Sequence, residues 1–233
     1  MSITLTLASR SSVLEQDISP EIVLDRPYSL ALIGLYTYNS IPNIEEGRNN
    51  KFSYLKDGSL QEILIPEGAY EITDIEKFLQ TSLKSTDKDE VISLKPNNNT
   101  LKCMLKCQYE IDFTAKDSIA SLLGFSNKKL AANTLHSSDR PVDIVRVNLI
   151  RVECNLVFGS YLNSKQTHVL YEFKPTVDPG YAITVTPAHL IYQKVQENLG
   201  SIRHISVQLT DQNSEPINFR GEEIIVRLEL KPC

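Results

Sequence analysis

Four cysteines and four histidines carry the most reactive side chains of this 233-residue chain. Cys103 and Cys107 are separated by three residues within the alternating run Leu101–Gln108. In a strand their sulfurs point to one face, several ångströms too far apart for easy bridging. They read as free thiols in an intracellular setting, and a zinc site would need two more ligands that no neighbouring residue supplies. His136, His168, His189 and His204 lie at no metal-like spacing and read as surface or core-edge residues. A nucleophile pair such as Cys154 with His168 is formally open. Cys154, however, continues an alternating apolar face, which makes it a buried structural cysteine. Glu45-Glu46 and Glu222-Glu223 are adjacent, and adjacent side chains of an extended chain point apart. Asp211 sits at a strand end and reads as a turn-fixing residue. The nine glycines form neither phosphate-cradling pattern, GxxxxGK[ST] or GxGxxG. HExxH and GxSxG are also missing from the sequence. The expectation is a protein that is not an enzyme, with no catalytic residue, metal, cofactor or small-molecule substrate.

With chemistry so sparse, the elements themselves become the subject. Apolar content is 41% and charged content 23%, ordinary for a globular chain that can bury a real core without staples. The net charge of −5, with acids and bases interspersed, argues against a dominant nucleic-acid role but leaves room for one basic face. The start MSITLTLASRSS lacks the features of a signal peptide, and no apolar stretch approaches the roughly 18 residues of a membrane span. The sequon Asn98-Asn99-Thr100 reads as a turn.

Period-two alternation dominates. Ile224, Val226, Leu228 and Leu230 oppose Ile225, Arg227, Glu229 and Lys231; Ile205, Val207 and Leu209 oppose Ser206, Gln208 and Thr210. The turn-rich segment between these runs predicts an antiparallel pair. Residues 142–158 form the longest strand-like stretch. There Val145, Val147 and Leu149 share one parity while Ile150, Val152, Cys154 and Leu156 share the other, which predicts a long strand bent by bulges. Further strands are expected near Ser2–Leu7, Glu21–Leu24, Ser29–Tyr38, Lys51–Leu55, Gln61–Ile65, Val91–Lys95 and Thr100–Tyr109. One helix is expected around Ile75, Phe78, Leu79 and Leu83, opened by a Thr73/Glu76 capping box. A second, short one is expected over Ser118–Leu123, with Asp117 as cap, Gly124 as stop and Phe125 tucked back. The polar loop Pro42–Asn50 is expected to be mobile, and Asn127–Arg140 to run over the surface. Tyr36 and Tyr38 pack a face or an interface. The fold class is all-β, a β-sandwich with one or two short helices in its connections. Residues 1–233 are taken as one domain, with 1–20 as an N-terminal arm or edge strand.

Three segments carry a resemblance. Ile65-Pro-Glu-Gly-Ala-Tyr-Glu-Ile-Thr-Asp-Ile75 resembles the "IPxGxYxIxDI" block of small capsid proteins of Polinton/Maverick elements and adintovirus-like viruses. Ile111-Asp-Phe-Thr114 with Ser121-Leu-Leu-Gly-Phe125 is similar to their short helix ending in "LGF". Val207–Glu222, leading into Ile225–Leu230, resembles their closing "DQDG…FRGE" hairpin, although Asn213-Ser214 replaces the usual "DG". The resemblance implies a penton-type minor capsid protein folded as a single jelly-roll β-sandwich, which the chain length suits, and it supplies no catalytic residues. Five copies would close a ring at each vertex of an icosahedral shell, among trimers of a double-jelly-roll major capsid protein. The protein would reside in the virion after assembly inside the host cell. Copies related by cyclic symmetry would meet through a heterologous contact. The candidate contact residues are Ile41, Asn43, Glu45 and Arg48 in one loop and Tyr171, Phe173 and Tyr181 in another. The alternatives are a receptor- or glycan-binding viral β-sandwich and a hydrolase whose site is assembled from distant loops.

Overall fold

The computed structural model describes residues 2–83, 91–196 and 199–233. The elements from the N-terminus are β1 (Ile3–Ser9), β2 (Val13–Val23), β3 (Tyr28–Tyr38), β4 (Lys51–Lys56), β5 (Ser59–Leu64), α1 (Ile72–Leu83) and β6 (Ile92–Asn97). Then come β7 (Lys102–Cys107), β8 (Glu110–Asp112), β9 (Lys129–Leu130), β10 (Leu135–Pro141), β11 (Ile150–Cys154) and β12 (Ser160–Leu162). The chain closes with β13 (Lys165–Thr167), β14 (Val169–Phe173), β15 (Ala182–Val185), β16 (Gln193–Lys194), β17 (Ser201–Thr210) and β18 (Ile224–Pro232). Among the described residues, this β-rich composition with one short helix bears out the expected all-β jelly-roll sandwich. The sequence reading treats 1–233 as one domain; the packing groups residues 1–41 with 147–233 as one compact unit and 42–146 as another.

In the first unit one sheet runs β1-β18-β3-β15, with β16 also on β3, and a second runs β14-β11-β17-β2. Val226, Leu228 and Leu230 of β18 and Leu30, Leu32 and Leu35 of β3 share one buried cluster with Val152 of β11 and Ile205, Val207 and Leu209 of β17. Alternation, with a register shift between Leu32 and Gly34 of β3, places all of these on inner faces, which is what a sandwich requires. The two C-terminal runs therefore do not pair with each other, contrary to the sequence reading. β17 hydrogen-bonds β2 and β11, while β18 hydrogen-bonds β1 and β3. Alternation specifies a buried face and leaves the partner strand open. Both N-terminal strands lie at sheet edges, β1 on β18 and β2 on β17.

The stretch 142–158 departs from the expected long strand. Only Ile150–Cys154 is strand, and the β11–β14 register shift falls between Val152 and Glu153. Only the earlier change of apolar phase, between Ile144 and Val147, coincides with a change of core. Val142 and Ile144 pack on the cluster of the second unit, whereas Val147 and the residues of β11 pack on that of the first.

The second unit holds the sheets β5-β4-β8-β9 and β10-β7-β6. Its core contains Phe52, Phe113, Phe125, Leu79, Leu94 and Leu105. Ile72, Ile75, Leu79 and Leu83 form the buried stripe of α1. The Thr73/Glu76 capping box does not form. The Glu71 carbonyl accepts the Ile75 amide at 3.1 Å, and Asp74 reaches back to the Glu71 amide at 3.2 Å. The helix thus begins earlier than expected, and Glu76 is free to do something else. Its carboxylate accepts the Leu94 amide, and Gln80 accepts that of Ile92, so the outward N–H groups of β6 are covered rather than left open. The expected second helix is a set of turns. Ser118 Oγ accepts the Ala120 amide, while Asp117 pairs with Lys51 Nζ at 3.1 Å instead of capping. Gly124 does end the turns at φ 80°, and Phe125 tucks back by donating its amide to Ala120. The 127–140 segment, expected as surface chain, contributes β9 and most of β10; its longest exposed run is 131–135. The sequon is a turn, closed by Asn97 Oδ1 on the amides of Asn99 and Thr100.

Candidate functional site

The Pro42–Asn50 loop is not a loose polar excursion. Asn43 is buried; it accepts the Tyr70 amide and donates Nδ2 to the carbonyls of Tyr70 (2.8 Å) and Ile144 (3.2 Å). Asn49 accepts the Glu45 amide and donates to the Asn43 carbonyl, both at 2.8 Å. Asn50 accepts the Gly47 amide and donates to the Ile65 carbonyl. Ile44 is fully buried and exchanges two backbone hydrogen bonds with Gly68. Amide side chains have both a donor and an acceptor, so they can replace a ladder where backbone alone would be unsatisfied. That brace orders the loop. Composition marks it as polar, but composition does not show that its asparagines face inward.

Of the four residues expected here as subunit contacts, Asn43 is such a brace. Ile41 is half-buried against the core of the first unit. Glu45 and Arg48 remain accessible. Glu45 forms an ion pair with Arg146, and Arg48 Nη1 lies 3.8 Å from the same carboxylate. Arg48, Asn49, Ser121, Leu122, Asp143 and Arg146 line a cavity of about 250 Å³. Its lining combines two arginines, an amide, a hydroxyl and one carboxylate. Arg146 and Asp143 escaped the sequence reading because they lie in the stretch taken as a strand.

The second set of expected contacts spreads over different settings. Tyr171 and Phe173 lie in β14 and pack partly on the core of the first unit. Tyr181 is 66% exposed. Its carbonyl accepts the Asn39 amide, Gly180 donates to the Asn39 carbonyl, and Asn39 Nδ2 donates to Val177, so the loop is tied to the end of β3. Tyr36 lies against Gly34, where an added Cβ would stand 2.9 Å from its hydroxyl, and Tyr38 is exposed on the same strand.

The reactive side chains are placed as structural groups. Cys103 and Cys154 are buried, and burial pushes both thiols up to about 12. Cys107 is also raised by burial. His168 does not face Cys154 as a base would. Its Nδ1 lies 2.7 Å from the Val157 carbonyl, and its ring packs on Phe158 at 5.0 Å. Asp211 fixes its turn as expected, accepting the amides of Asn213 (2.7 Å) and Glu215 (2.9 Å). Beside it stands Arg151, a buried cation that sequence reading passed over. Arg151 Nη1 donates to the carbonyls of Asp211 (3.2 Å) and Gln212 (3.1 Å), and Nε donates to Glu172 at 2.7 Å. Among the described residues no group of three metal-ligating side chains comes together, and no helix is long and apolar enough to cross a membrane.

No protein-family model and no curated protein matches the chain. Among solved structures, a crystal structure of the mavirus penton protein matches with a TM-score of 0.52 over 100% of both chains, at 12% identity. The likeness is one of fold, and it extends from end to end.

Proposed function

We propose that the chain is a penton-type minor capsid subunit that assembles with copies of itself into a ring, a pentamer at the vertices of an icosahedral shell. The observation that carries this reading is the full-length fold correspondence with the mavirus penton protein. The sequence blocks around Ile65–Ile75, Ser121–Phe125 and Val207–Glu222 support placing it with the capsid proteins of Polinton/Maverick elements and adintovirus-like viruses. In this reading both compact units act together as one capsid subunit, and its partner is a double-jelly-roll major capsid protein. The protein works through shape: a heterologous contact repeated around an axis closes without leaving a free end. Glu45, Arg48 and Tyr181 are the candidate contacts that the fold leaves accessible, while Asn43, Tyr171 and Phe173 hold the loops that present them. Light scattering on the purified chain tests the reading. A ring-sized mass, or recruitment into shells with the major capsid protein, supports it. A chain that stays monomeric and never enters particles overturns it.

A further inference from the structure

The outer face of the β10-β7-β6 sheet has an unusual charge. Cys103, Leu105 and Cys107 of β7 point into the core, so Lys102, Met104 and Lys106 point away from it. Across the ladders, Lys95 sits opposite Met104, and Lys106 lies between Ser93 and Leu135. Residues two apart on a strand are roughly 7 Å apart, and paired residues about 5 Å. Three ammonium groups therefore surround one methionine. Among the described ion pairs none involves Lys95, Lys102 or Lys106, and the nearby Asp139 is held by Lys128 at 2.7 Å. Leu135 adds apolar surface, 61% exposed.

An acidic counterpart occurs on the outer face of the β14-β11-β17-β2 sheet. Leu14 and Val207 point inward, so Glu15 and Asp17 of β2 face outward with Ser206 and His204 of β17. Glu153 of β11 joins them across Gln208. Asp17 is nearly fully exposed, with His204 Nδ1 at 3.0 Å, and Glu153 accepts a hydrogen bond from Thr210. Of the arginines in this sheet, Arg151 is buried and committed to Glu172 and the 211–212 carbonyls, and the exposed Arg203 is paired with Glu21 of β2.

From this charge complementarity we infer that the lysine face seats the acidic β2 face of a second copy of the same chain, forming the heterologous contact of the ring. The inference rests on the self-assembly proposed above and names its surface. A duplex nucleic acid is the other candidate for three lysines. It is disfavoured here because the face includes Met104 and Leu135 and because the chain is acidic overall.

The test is a charge exchange read by sedimentation and light scattering, with thermal melting to verify that each variant folds. Lys95→Glu with Lys106→Glu should weaken self-association about tenfold or more, as should Glu15→Lys with Asp17→Lys. All four changes in one chain should restore association to within about threefold. Raising salt from about 0.05 to 0.5 M should weaken the wild-type contact, because exposed pairs are screened. Wild-type assembly that is indifferent to every exchange overturns this inference and leaves the ring intact. A wild-type chain that never assembles overturns the ring reading as well. If the lysine pair alters binding of a short DNA duplex in an anisotropy assay and leaves assembly unchanged, the face belongs to nucleic acid and the inference fails.

Discussion

Replacing Arg151 with alanine should destabilise the first unit by about 3 kcal/mol. The side chain is 6% exposed and joins β11 to the turn that leads out of β17. Its Nη1 holds two carbonyls, at 3.2 and 3.1 Å, and approaches Ser214 Oγ at 3.4 Å. A hydrogen bond from a charged donor contributes about 1.5–3 kcal/mol, and a buried acceptor that loses its donor costs about 1–3 kcal/mol. The Glu172 pair adds less, because that carboxylate is 43% exposed and such pairs are worth roughly 0–1 kcal/mol. Water can reach the vacated end of the turn, which keeps the sum near the lower bound. The assay is thermal unfolding followed by circular dichroism, where about 3 kcal/mol corresponds to a fall of roughly 6–12 °C for a chain of this size. Glu172→Ala should cost less than about 1 kcal/mol. If Glu172→Ala costs as much as Arg151→Ala, the ion pair rather than the turn is the stabilising feature and the reasoning is refuted. The same holds if Arg151→Ala melts within about a degree of the parent.

Three other outcomes are expected. Gly124→Ala should lose more than about 2 kcal/mol, because its φ is 80° and the new Cβ would stand 2.3 Å from the Arg140 carbonyl oxygen; a melting temperature close to the parent's would contradict this. A thiol reagent at pH 8 should label exposed Cys233 quickly and the buried Cys103, Cys107 and Cys154 only at the rate of unfolding, as read by intact mass. Stability should fall as pH rises from about 9 to 12. Cys103 and Cys154 titrate near 12 when folded against a usual 9.0, so the folded state holds protons that the unfolded state has released. Cys154→Ala should flatten that loss, and an unchanged alkaline profile would refute the assignment.

Inner faces were legible in the sequence because strand period is strict: every alternating apolar residue of β17 and β18 is buried where the pattern puts it. Their partners were not legible. A strand's buried face is a local property, whereas its neighbour is chosen by the whole sheet, so two adjacent strands read as a hairpin enter different sheets. The 142–158 stretch failed for a related reason. Its first phase change, between Ile144 and Val147, accompanies a change of core, and one-dimensional parity does not distinguish that from a bulge. Among the site residues, exposure of Arg48 and Tyr181 agrees with their polar or loop context, while Glu45 is half-buried beside Arg146. The inward asparagines 43, 49 and 50 carried no signal, since an amide that braces a loop looks like an amide in solvent. The lysine face was written in the alternation Lys102-Cys-Met-Leu-Lys106, but it becomes a face only when β6 brings Lys95 beside it.

The proposed place of this chain is at the vertices of a shell. Cryo-electron microscopy of particles assembled from the chain and a double-jelly-roll major capsid protein would show it there. Five copies of this fold are expected around each five-fold axis, with the lysine face of one copy against the β2 face of the next. Particles whose vertices lack the chain, or a chain that binds elsewhere on the shell, would contradict it.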